Sequence, residues 1–282
     1  MEWHIIPTGR VWMDSGGAMG LTPKALWIEH QSVDEQHRIA MDMDGLLVIS
    51  EGKKIIMDTG LGHKLPPKVE QNFGLEYPEG TLVENLAAHG LAPEDIDIVI
   101  NTHLHSDHCG GNTYRDGDKV FPTFPNAEYW IQRIEFADAY HPDARTRSTY
   151  LAENFVPLWK AGQIKFLHGD TTVTSEIRTV ITRGHTHAHQ SIILDDGSGT
   201  PVFFTADLST YAVHFAKPSW VTAYDVEPLE TIATKAGWMK WALESNATLF
   251  FQHDAHTRTA KLILNERGRY EIKTLTPGSI SR

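Results

Sequence analysis

Within six residues, His103-Leu104-His105-Ser106-Asp107-His108, the chain gathers three imidazoles and one carboxylate. These are the donors that hold zinc and related divalent ions, so the run predicts a metal site and metal-dependent chemistry. Chance explains it poorly. With 16 His in 282 residues, such a run is expected about 0.003 times in a chain of this length. The competing reading is a solvated, His-rich loop.

Three further candidates arrive at the ends of apolar stretches. Gly184-His185-Thr186-His187-Ala188-His189 follows Ile177 to Thr182, Phe203-Phe204-Thr205-Ala206 runs into Asp207, and Leu249-Phe250-Phe251-Gln252 runs into His253-Asp254. Each alone reads most simply as a polar residue entering a loop. Together they are what a rigid sheet delivering ligands from its strand ends would supply.

The elements that must position these groups can be placed by period. Strands are expected at 3–7, 38–42, 45–50, 54–58, 96–101, 127–131, 163–167, 177–182, 191–194, 201–206 and 248–252, with hairpin turns at Asp44-Gly45 and Glu51-Gly52. Alternation over Ile96-Asp97-Ile98-Val99-Ile100 leads directly into the cluster, and positions 103, 105 and 107 would share one side of an extended backbone.

Helices are expected at 81–89, opened by the capping-box pattern Thr81-x-x-Glu84, and at 228–244. In the second, Leu229, Ile232, Ala236, Met239 and Leu243 would form a stripe facing a sheet. A weaker helical region covers 132–159, where Trp130, Phe136, Phe155 and Trp159 read as core packing more readily than as a substrate wall. Strands and helices thus mix throughout, an α/β pattern with much hairpin-connected sheet.

Composition excludes several functions. A net charge of −11 with no basic stripe argues against nucleic-acid binding. No segment reaches the roughly 18 consecutive apolar residues of a membrane span, and the N-terminus lacks the pattern of a signal peptide. The single cysteine, Cys109, allows no internal disulfide and fits a cytoplasmic location. It reads as a small buried residue rather than a nucleophile.

The order H-x-H-x-D-H, Gly-His, Asp, His resembles that of the metallo-β-lactamase superfamily, and Ile56-Met57-Asp58-Thr59-Gly60 is similar to the strand and turn preceding the metal motif there. The resemblance implies a four-layer αββα sandwich and a single domain over 1–282, with a pocket-shaping insertion at about 120–160. It further implies that His103, His105 and His185 hold one divalent ion and Asp107, His108 and His253 a second, with Asp207 bridging them. Asp58 would orient a ligand by hydrogen bonding. His189 would support the site, while His187 stands where the family has no ligand and His256 lies nearby. The ions implied are zinc first, with manganese, iron or cobalt as alternatives.

Within the superfamily the chain is most similar to the N-acyl homoserine lactonase-like branch, through Ile6-Pro7-Thr8-Gly9-Arg10, Leu21-Thr22-Pro23 and Phe251-Gln252-His253-Asp254. That implies a quorum-quenching type of hydrolase, opening a lactone or carboxylic ester with a metal-bridging hydroxide. Asp107, Asp207 and Tyr211 are its candidate catalytic residues. The chain departs from the branch in carrying Thr210 at the position of the catalytic tyrosine, with Tyr211 one residue later. A phosphotriesterase similar to methyl parathion hydrolases is the alternative, and an iron-dependent redox enzyme the weaker one. The expected partner is a small-molecule ester, lactone or phosphoester. A homodimer is allowed.

Overall fold

The computed structural model describes residues 1–197 and 199–275. The described residues divide into two compact units, one built from Met1–Val11 and Asp42–Gly169, the other from Trp12–Met41 and the described residues from Asp170 onward.

The sheet of the first unit has the order β1-β2-β3-β4-β7-β8, with β1 at Glu2–Asp14, β2 at Arg38–Ser50, β3 at Lys53–Met57 and β4 at Ile98–Ile100. A separate hairpin of β5 (Thr113–Asp116) and β6 (Lys119–Pro122) precedes β7 (Glu128–Gln132) and β8 (Ile164–Leu167). Strands β3, β4, β7 and β8 run parallel. Their short, fully buried sequences, such as Ile98-Val99-Ile100, suit a sheet covered on both faces. The core gathers Ile6, Leu47, Ile56, Val99, Tyr129 and Phe155.

The turn at Glu51-Gly52 is present, with positive φ at both residues (51° and 76°) as a two-residue hairpin demands. No turn exists at Asp44-Gly45. β2 is one strand where two were expected, because Gly45 serves close approach instead: a Cβ there would sit 2.7 Å from the Asp58 carbonyl oxygen.

The second unit's sheet runs β15-β14-β13-β12-β11-β10-β9. Its strands are β9 (Thr171–Thr174), β10 (Ile177–Ile181), β11 (Gln190–Leu194), β12 (Val202–Phe204), β13 (Thr248–Phe250), β14 (Thr259–Leu264) and β15 (Tyr270–Thr274). Among its described strands only β12 and β13 pair in parallel, with Phe204 opposite Phe250.

The helix Pro228–Glu244 matches its expected span, but its buried face is Thr231, Lys235, Met239 and Ala242. Of the stripe read from sequence, Met239 is buried and Leu243 packs on the core, whereas Leu229 is 81% exposed and Ala236 is exposed, so the stripe meets the core only along its C-terminal half. Lys235 accounts for this, because its stem lies in the core while its ammonium donates to the Trp220 carbonyl at 2.5 Å. Trp238 stacks on Phe203 at 4.9 Å, and Met239 and Ala242 join the cluster around Phe203, Leu249 and Phe251.

The region 132–159 is not one helix but Arg133–Tyr140, a 3₁₀ turn at Ala152–Asn154, and Val156–Lys160. Of the aromatics expected to pack there, Phe155 and Trp130, the latter on β7, are core, whereas Trp159 is 47% exposed. None of the described helices is long and apolar enough to cross a membrane.

Candidate metal centre

In the first unit the site grows from the parallel pair β3 and β4. With Met57 opposite Ile100, Asp58 and the Thr102-His103 segment leave the sheet side by side. Asp58 has φ +56°. Its two oxygens accept from the Thr102 amide at 2.8 Å and the Thr102 hydroxyl at 2.7 Å. Oδ2 also lies 2.8 Å from His108 Nδ1, with both side chains fully buried. That contact holds the imidazole with Nε2 directed away from the carboxylate, the usual arrangement of an oriented metal ligand.

The motif does not continue extended through 107, because Ser106–Cys109 forms a helical turn. The turn brings His108 back against His103, ring centroids 4.0 Å apart, while His103 and His105 lie at 4.5 Å. Asp107 is partly exposed, its Oδ2 3.6 Å from His108 Nε2. The Cys109 thiol donates to the Leu104 carbonyl at 3.2 Å, and burial pushes it up, which fits the inert reading.

Sequence reasoning missed Glu135 on the helix Arg133–Tyr140. This buried carboxylate accepts from the Leu104 amide at 3.0 Å and the Tyr150 hydroxyl at 2.9 Å. The Tyr150 ring in turn packs on His105 at 5.0 Å. A lone Glu in a charged helical stretch carries no sequence signal for this contact.

In the second unit, Asp207 and His253 follow β12 and β13 by the same number of residues, so the in-register parallel pair sets them at one sheet end. Asp207 Oδ2 lies 3.0 Å from His185 Nε2, and Oδ1 lies 3.1 Å from His253 Nε2. One carboxylate thus presents a separate oxygen to each of two buried imidazoles. Its backbone N–H donates to His189 Nε2 at 3.1 Å, and His189 Nδ1 meets the Thr182 hydroxyl at 2.8 Å, which makes His189 a support. His187 is exposed, 3.9 Å from Glu227.

Asp225, also missed, lies 2.8 Å from His185 Nδ1 and accepts from the Thr222 hydroxyl at 2.9 Å. Burial alone would push His185 down, but the Asp207 and Asp225 carboxylates hold its imidazole up at about 10. The Tyr211 ring is buried edge-on to His214 at 5.5 Å, and Thr210 is buried as well. Asp254 is occupied structurally, accepting from the amides of Ala212, His256 and Thr257.

Each unit therefore carries buried imidazoles and a carboxylate, with outer ring nitrogens anchored by Asp58 and Asp225. That donor set suits divalent ions bound by nitrogen and oxygen.

The sequence model of the metallo-β-lactamase superfamily matches residues 45–253, and the chain belongs to that superfamily. It is a metal-dependent hydrolase by class, related to N-acyl homoserine lactonases. An N-acyl homoserine lactonase of Bacillus sp is 25% identical over 89% of this chain and 92% of its own length.

Among solved structures, a probable metal-dependent hydrolase from Staphylococcus aureus matches with a TM-score of 0.87 at 26% identity, covering 98% of this chain and 96% of that one. AidC, a dizinc quorum-quenching lactonase, matches with a TM-score of 0.77 at 21% identity, covering 97% and 94%. The fold class expected from sequence, α/β with mixed sheets and helices, is thereby shown.

Proposed function

We propose that the chain is a dinuclear hydrolase that opens a lactone or cleaves a carboxylic ester. The observation that carries this is Asp207, whose two oxygens face His185 and His253 separately at 3.0 and 3.1 Å. That is the posture of a carboxylate shared between two cations. His103, His105 and His185 would hold one ion, and Asp107, His108 and His253 the other, zinc being the first choice over manganese, iron or cobalt. When bound, the pair of ions would supply hydroxide near neutral pH and polarise the scissile carbonyl.

The chain's own residues then have distinct tasks. Asp58 and Asp225 fix the tautomers of His108 and His185. Asp107, the partly exposed member of the set, takes the proton of the attacking nucleophile and hands it to the departing alkoxide as the tetrahedral centre collapses. Tyr211 donates to the developing oxyanion. The fold acts as one domain over 1–282, its 120–160 segment shaping the pocket, and the enzyme works in the cytoplasm on a small molecule, without nucleic acid.

Phosphotriester hydrolysis is the second reading, favoured by Thr210 standing where lactonases carry their tyrosine. Bound metal and turnover should be measured together for wild type and Asp207→Ala, on a lactone panel and an aryl phosphotriester. Loss of metal with loss of lactone turnover supports the proposal. Undiminished turnover at full metal loss sinks it, and a preference for the phosphotriester selects the second reading.

A further inference from the structure

We propose that the first unit carries a second small-molecule site, a pocket that seats a short-chain carboxylate on the ammonium of Lys64. Lys64 is buried at 8% exposure. Its Nζ donates to two backbone carbonyls, those of Gly110 and Thr113, the latter at 2.8 Å. An ammonium has three hydrogens, and among the described residues no carboxylate forms an ion pair with this one. A buried cation held only by neutral dipoles is electrostatically unfinished. Burial pushes Lys64 down to about 8, the same cost seen from the proton's side.

Lys64 borders empty space. Lys64 lines a cavity of about 130 Å³ together with Leu82, Val83, Thr113, Tyr114 and Arg115. That is room for a few waters or one short acid.

The chemistry of the lining selects the ligand. Arg115 is already paired with Glu153, so the pocket offers one uncompensated positive charge. A singly charged carboxylate neutralises it, whereas a doubly charged phosphate would leave a buried negative charge without a partner. Leu82 and Val83 give an aliphatic tail somewhere to rest, and the Tyr114 hydroxyl can donate to the second carboxylate oxygen. Lys64 also ties down Gly110 and Thr113, just past the metal motif, so an occupant of this pocket would stiffen the chain segment that follows His108.

The test is titration of zinc-loaded, ¹⁵N-labelled protein with butyrate, with phosphate as the comparison. Saturable shifts are expected at the amides of Leu82, Val83 and Thr113, with butyrate binding more tightly than phosphate. Lys64→Met should weaken this binding at least tenfold. Val83→Trp, which fills the cavity from its rim without touching the ammonium, should do the same and stands in if Lys64→Met does not fold. Shifts confined to residues 103–108, meaning acid bound at the metals alone, would overturn the proposal. So would binding undiminished in the folded variants, or phosphate binding the tighter of the two.

Discussion

His185 and Asp225 meet through Nδ1 and Oδ1 at 2.8 Å, inside a region where both side chains are 2% exposed. The contact leaves the imidazole no freedom to flip, and its other nitrogen is thereby committed to Asp207. Asp225→Ala should therefore lower metal affinity about 10- to 100-fold while the fold persists, as a chelator-competition titration would read. An affinity equal to wild type would assign Asp225 a purely structural role.

Glu135 supports the motif from within the same unit, on the helix Arg133–Tyr140. Glu135→Ala removes the acceptor for both the Leu104 amide and the Tyr150 hydroxyl, leaving two buried donors without a partner. The expected loss is about 2 to 4 kcal/mol of stability. Glu135→Gln keeps an acceptor oxygen and should recover most of it. Denaturant melts of the two metal-loaded variants check the difference, and identical melts would refute the hydrogen-bond account.

Much of this was written in the sequence, and unevenly. Seven ligand candidates were legible because residue type and order carry them, and the helix Pro228–Glu244 because Pro228 marks its start. Asp225 and Glu135 were not, since each gains its meaning only from a partner distant in the chain. The N-terminal half of that helix's buried face was hidden by Lys235, a charged residue whose stem packs in the core. The Gly45 error has the same root: close backbone approach and tight turns both demand glycine, and period alone does not separate them.

His214 makes an acid-lability prediction. Burial, aided by the Lys235 charge, pushes its imidazole down to about 3. An unfolded chain protonates this ring near 6.5, while the folded one keeps it neutral. Stability is thus intact above about 6.5 and falls as pH drops toward 3, with a slope approaching one proton. His214→Leu should flatten that limb in urea melts run from pH 7 to 4. An unchanged slope would rule the residue out.

Tyr211→Phe tests the oxyanion donor. With metal content unchanged, kcat on a lactone should fall about 100-fold if the hydroxyl acts in the transition state. A fall in KM alone, or none, would transfer the role to Thr210.

Gly184 adopts φ +131°, and a Cβ there would lie 2.3 Å from the amide nitrogen of Thr231, in the first turn of the helix Pro228–Glu244. The amides of Val226 and Glu227 donate to the carbonyls of His185 and Gly184 at 3.1 and 2.8 Å, closing the same junction. The backbone of His185 is therefore set by a helix some forty residues downstream. In time rather than space, this means that metal capture is a late event: a refolding chain should regain helical circular dichroism before an added divalent ion ceases to exchange.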